Sequence, residues 1–155
     1  MSDDPLQPHA HDPNLVTPEG DGSFGLVLGN GRIQNITVDQ LKQLPFAEVQ
    51  NCFIVSTGHG TSGPFTFGGV TLLDFMHHYV LDAWQEAEVI SVDGFGNRVY
   101  ARELHQHDEA RPVLLSYAID GIQMTREQGL VRLIVPNETD DALRQVKWIG
   151  EIRVI

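Results

Sequence analysis

The sequence predicts a mixed α+β domain, mainly β with short helices. Three observations carry that prediction: alternating or β-branched apolar runs outnumber helical stripes, few segments open with a helix cap, and no βαβαβ rhythm of a doubly wound sheet occurs. At 155 residues and 41% hydrophobic content, the chain can bury one substantial core, whereas two independent cores would be hard to fit.

Residues 1–22 contain Asp3, Asp4, Asp12, Glu19 and Asp21 without a single Lys or Arg, are interrupted by Pro5, Pro8, Pro13 and Pro18, and show no apolar period. Such a stretch buries too little surface to offset the entropy of ordering, so it is expected to be a mobile acidic arm, with the folded domain over 23–155. His9 and His11 lie on this arm. Two imidazoles on a flexible segment must first be ordered before they hold a metal, so they read as surface decoration.

In the domain, Phe24, Leu26 and Leu28 alternate and then meet Gly29-Asn30-Gly31, the pattern of a strand and a turn. Thr37-Val38-Asp39-Gln40 is a capping box for a short helix through Leu44, stopped by Pro45. Val49 to Ser56 reads as a strand running into a glycine-rich loop, Thr57-Gly58-His59-Gly60-Thr61-Ser62-Gly63-Pro64. Thr71 caps the next helix, with Leu72, Phe75, Met76 and Tyr79 near one stripe and His77 and His78 beside it. Adjacent positions cannot share a helical face, so at most one of those two histidines points toward any site. Val89 to Val92 and Arg98 to Ala101 form a hairpin around Asp93-Gly94-Phe95-Gly96-Asn97. Val113 to Ile119 and Val131 to Val135 are apolar, β-branched runs that read as another strand pairing, separated by Asp120-Gly121 and a polar segment ending at Gly129. Trp148 to Ile155 is the last strand.

Composition narrows the function classes. A formal charge of -11 with only ten Lys and Arg excludes nucleic acid as a natural partner, because phosphate backbones are held by those residues. The acidity reads as solubility. With no apolar run near 20 residues, no basic amino-terminal region and no signal-peptide core, no membrane contact is expected and the location is expected to be cytoplasmic. A single cysteine, Cys52, excludes an internal disulfide and a multi-thiolate metal centre within one chain. There is no Gly-x-Ser-x-Gly elbow, Walker loop, Cys-x-x-Cys pair or His-Glu-x-x-His helix. Gly94 and Gly96 lack the third glycine and following helix of a dinucleotide fingerprint.

Several phrases, read in order, resemble the molybdopterin-binding domain of the sulfite-oxidase type oxidoreductases. They are Ile36-Thr37-Val38-Asp39-Gln40-Leu41 before Leu44-Pro45, Phe67-Gly68-Gly69-Val70-Thr71-Leu72-Leu73-Asp74, Asp93-Gly94-Phe95, Leu114-Leu115-Ser116-Tyr117-Ala118-Ile119-Asp120-Gly121, Gly129-Leu130-Val131-Arg132-Leu133-Ile134-Val135-Pro136 and Val146-Lys147-Trp148-Ile149. The phrases run from Ile36 to Ile149, and the resemblance extends over about residues 25 to 155. The resemblance implies packed sheets with short helices, a cleft formed by loops leaving the strands, and molybdopterin as the cofactor to be considered.

It also exposes a departure. The family carries a molybdenum-ligating cysteine after the strand that precedes the aromatic-x-Gly-Val phrase, and counting back from Phe67 places that position at or next to Thr57. A hydroxyl is a poor substitute for a soft thiolate. Cys52 lies about five residues earlier, roughly 15 to 17 Å along an extended strand. It therefore reads as a small core residue, and no molybdenum is expected on it. Near the end of the chain the family places a basic residue against the pterin or its phosphate. Here Arg144 and Lys147 keep positive charge at the matching spacing, although Asp140 and Asp141 stand nearby and Arg144 has the alternative of pairing with one of them.

The candidate cofactor-binding residues are accordingly Thr57, Gly58, His59, Gly60, Thr61, Ser62, Arg144 and Lys147. Glycine-flanked amides and hydroxyls make an anion nest, and the imidazole of His59 can donate, accept or shuttle a proton. His105-Gln106-His107 would put both imidazoles on one face if it were a strand, but no third ligand is evident and no metal set is assigned. Three readings remain open from the sequence. The first is a protein that binds a pterin or small anion without molybdenum redox turnover. The second is an active molybdenum-cofactor oxidoreductase with non-cysteine ligation. The third is an interaction module whose acidic arm contacts a basic protein partner.

Overall fold

The computed structural model describes residues 21–56, 60–106, 111–136 and 144–155. In chain order the elements are β1 (Phe24–Val27), β2 (Ile33–Ile36), α1 (Val38–Leu41), β3 (Ala47–Ser56), β4 (Gly60–Thr71), α2 (Leu72–Tyr79), β5 (Glu86–Ser91), β6 (Gly96–Tyr100), α3 (Ala101–Gln106), β7 (Leu114–Ile119), β8 (Ile122–Gln123), β9 (Arg132–Ile134) and β10 (Ile149–Val154). They form two sheets. The first runs β2-β1-β10-β5-β6, with β1 and β10 parallel. The second runs β3-β4-β7, and the far edge of β7 is shared between β8 and β9.

Helix starts follow their local chemistry. The Thr37 hydroxyl accepts from the Gln40 amide at 3.2 Å while the Gln40 side chain accepts from the Thr37 amide at 2.9 Å. This box opens only four helical residues, and the expected continuation to Leu44 is a pair of turns instead. Thr71 caps α2 by accepting from the Asp74 amide at 3.0 Å. The predicted stripe buries Leu72, Phe75 and Met76, with Tyr79 packed on Phe75 at 5.0 Å between ring centroids. Among the described residues no helix is long and apolar enough to cross a membrane.

Sheet burial explains the continuous apolar runs. Leu115, Val70 and Leu133 face the main core shared with the first sheet and α2, while Leu114, Phe67, Ile134, Val49 and Cys52 form a second cluster. β7 is covered on both faces and is buried from Leu114 to Ala118 without alternation, with the Ser116 hydroxyl satisfied by donating to Gly68 O at 2.9 Å. Described structure begins at Asp21, and Gly22 is already buried. A Cβ there would stand 2.7 Å from Val38.

Two local expectations are corrected. Gly60 to Pro64, read as part of a loop, belongs to β4, which pairs Gly60 with Ser56, Thr61 with Val55 and Ser62 with Ile54. Proline is tolerated because, among the described residues, this end of β4 pairs with β3 alone and the register shifts between Cys52 and Ile54; the Gly63–Pro64 bond is cis. The His105 segment is helical rather than extended, since α3 runs to Gln106. Residues two apart on a helix do not share a face, so the same-face argument for His105 and His107 lapses. His107 itself lies outside the described residues.

Candidate functional site

Of the residues that the sequence singles out, Thr57, Gly58 and His59 lie outside the described residues, as do Asp140 and Asp141. Gly60, Thr61 and Ser62 are exposed at the start of β4. Cys52 is 2% exposed in the second apolar cluster, and its thiol lies 3.6 Å from the Val49 carbonyl. Burial pushes its pKa up, against an opposing pull from the Arg111 guanidinium. A buried thiol held in its protonated form is an inert core group rather than a metal ligand.

The edge of β3 is held from outside. A bulge with Asn51 at φ 58 turns carbonyls away from β4, and Arg111 donates to Gln50 O at 2.6 Å, to Asn51 O at 3.3 Å and to Pro136 O at 2.9 Å. Gln145 donates to Phe53 O at 2.7 Å. These bonds fix the chain before β9's following turn and after Arg144 against one strand edge, which positions the basic segment 144–148.

Within that segment the two predicted cations diverge. Arg144 donates to Glu103 of α3 at 3.0 and 2.5 Å and to Arg98 O at 2.8 Å. The hydrogen bonds from Arg144 are the main reason the Glu103 carboxyl is held below the ordinary value, with burial opposing them. Lys147 turns elsewhere. Its ammonium sits 4.1 Å from the Trp148 ring centroid, and no hydrogen bond or ion pair joins it to another described residue.

Beside Lys147 stands a residue that sequence reasoning missed as a site, Arg132 of β9. It is 7% exposed; one Nη donates to Gln128 O at 3.0 Å, and Nε has no partner among the described residues. Burial alone pushes its pKa down to about 10, so it stays charged at neutral pH. Gly129 lets the two cations approach: at φ +117, a Cβ there would stand 2.8 Å from Lys147 Cγ and 3.1 Å from Arg132 Cγ. Trp148 closes the arrangement by donating its indole N–H to Arg126 O and its amide to Gly129 O. Burial first, and the charge of Arg132 second, lower the Lys147 pKa, while Asp93 and Glu127 pull it back. The available signal was a lone charge inside the apolar run Val131 to Val135.

A buried guanidinium N–H without an acceptor is costly, and of the acceptors that could reach it an anionic oxygen makes the strongest bond. The described structure is thus a two-sheet domain with a basic pair, Arg132 on β9 and Lys147 just before β10. The chain belongs to the oxidoreductase molybdopterin binding domain family, whose description matches residues 27–155. It is similar in structure to the sulfane dehydrogenase SoxCD from Paracoccus pantotrophus, with a TM-score of 0.67 and 15% identity over 89% of this chain. It spans 40% of that protein's chain, and at this identity the likeness establishes the fold. No curated protein sequence matches it.

The residues present fit one end of a molybdopterin. Arg132 Nε and Lys147 would meet its phosphate or a pterin acceptor, since both need an anionic or lone-pair partner. They do not fit thiolate ligation of the metal through Cys52, whose thiol is buried among Val49, Phe67 and Leu114.

Proposed function

We propose that this chain binds a pterin or a similar small anion through Arg132 and Lys147, without molybdenum redox turnover supported by Cys52. The single observation that carries the reading is that Nε of an almost wholly buried arginine has no partner among the described residues. Family membership supports a pterin as the ligand class, and residues Thr57 to Ser62 are the candidates for its remaining contacts. When bound, molybdopterin supplies redox chemistry at its metal; the described residues supply charge and orientation. Arg132 holds the ligand through a charge-assisted hydrogen bond from Nε, Lys147 adds a second positive charge, and Trp148 fixes the ammonium by its ring face.

The test is to purify the protein and an Arg132→Met variant from a cofactor-competent host, then assay oxidised pterin fluorescence and molybdenum. Pterin in the wild type, lost in the variant, with no stoichiometric molybdenum, is the expected result. Wild-type protein that carries neither pterin nor any affinity for added phosphate would sink the proposal. Stoichiometric molybdenum would instead overturn the proposal in favour of an active molybdenum-cofactor oxidoreductase, with Cys52→Ala deciding whether its ligation is non-cysteine.

A further inference from the structure

Away from the basic pair, α2 and α3 bring two imidazoles together that lie far apart in sequence. The rings of His77, in the last turn of α2, and His105, in the last turn of α3, have centroids 6.4 Å apart with 38° between their planes. Both residues are exposed. Two imidazoles on one tetrahedral zinc ion, with zinc–nitrogen bonds of about 2 Å, stand roughly 5 to 5.5 Å apart between centroids. The observed spacing is wider by about 1 Å, a gap that rotation of two solvent-facing side chains closes.

We propose that His77 and His105 form a surface site for a divalent transition metal of the zinc or copper class. Imidazole nitrogen is a preferred donor for both ions. The surroundings are compatible with a cation. Arg102, the nearest positive side chain on α3, is drawn onto the Tyr100 ring at 5.1 Å, and Asp74 lies one turn before His77 on the same helical face. No group of three ligating side chains stands together among the described residues, so water completes the coordination and the ion is exchangeable. His105 is two residues from Glu103, which grips Arg144. An ion on this pair would therefore brace α2 against the helix that anchors the segment leading to Lys147. This site is independent of what the basic pair binds.

His78 provides the control. It packs edge-on against Tyr79, with centroids 4.6 Å apart, and takes no part in the pair. The experiment uses tag-free full-length protein titrated with zinc chloride and, separately, copper sulfate by calorimetry, with thermal melting of the same samples. A single ion per chain and a raised melting temperature are expected. Replacing either His77→Ala or His105→Ala should weaken binding by at least about tenfold, the smallest loss typical of changes around metal ligands. His78→Ala should bind like the wild type. Both paired residues are exposed, so circular dichroism should confirm that the variants fold. If His78→Ala loses as much affinity as the others, or the His77→Ala/His105→Ala double variant keeps it, the site does not exist.

Discussion

Arg144 and Arg132 stand on adjoining stretches of chain and differ in what answers their charge. Arg144 has a carboxylate: Glu103 takes two of its N–H groups at 2.5 and 3.0 Å, on side chains less than a third exposed. Arg132 is more deeply buried and has one carbonyl, with Nε left over. A satisfied ion pair is a sufficient structural account of itself, so Arg144 is explained by fixing α3 to the β9–β10 connection. An unsatisfied one asks for a ligand. The comparison separates two residues of the same type that sequence spacing alone had weighed only in the case of Arg144.

The largest expected effect comes from breaking the unanswered side. Arg132→Met removes a desolvated charge while keeping the length of the side chain, and should raise stability in ligand-free protein by about 1 to 3 kcal/mol, the scale of a buried group left without its hydrogen bond. Urea melts with and without added phosphate check this, because the variant should gain nothing from the anion. A destabilised variant would mean that an unseen partner already satisfies Arg132.

Glu103→Gln tests the answered side and should lower stability by about 1.5 to 3 kcal/mol, the scale of hydrogen bonds to charged groups. The pH dependence has a definite sign. Because the folded Glu103 carboxyl is held below its ordinary value, its contribution is fully present above the usual carboxylate range and is lost as pH falls through that range toward the folded value. Denaturation midpoints measured from pH 7 down to pH 3 should therefore converge for wild type and Glu103→Gln at the acid end. Curves that stay parallel would remove the ion pair from the account.

The smallest effect belongs to Cys52→Ala. Losing one buried sulfur should cost about 1 kcal/mol of stability and leave pterin and metal content unchanged. A fall in metal content in that variant would make the thiol a ligand and overturn its assignment to the core.

Much of the fold was legible because its signals are local. Thr37 with Gln40, and Thr71 with Asp74, satisfy freed amides within one turn, so three or four residues suffice to recognise them. Gly60 to Pro64 misled for the complementary reason. Glycine and proline advertise a turn, yet the segment is held extended by pairing with Ile54 to Ser56, which no local rule encodes. The alternating histidines at 105 and 107 imitate a strand, but the carboxylate of Glu103 accepts from the Tyr100 amide at 2.7 Å and starts a helix before them. At the candidate site, Lys147 was visible as a charge at a familiar spacing. The state of Arg132 was not, because being unpaired is a property of neighbours contributed by Gln128, Gly129 and Lys147 together. Thr57 to His59 lie outside the described residues.

The position of β10 has a consequence for how the molecule is made. It is the last strand in order, yet it sits in the middle of its sheet, with β1 on one side and β5 on the other. Until residues 149–154 leave the ribosome, β2-β1 and β5-β6 are two separate hairpins with raw inner edges and nothing to join them. Such a sheet matures late and through contacts of long sequence separation, and in the interval those edges are the parts most in need of chaperone cover.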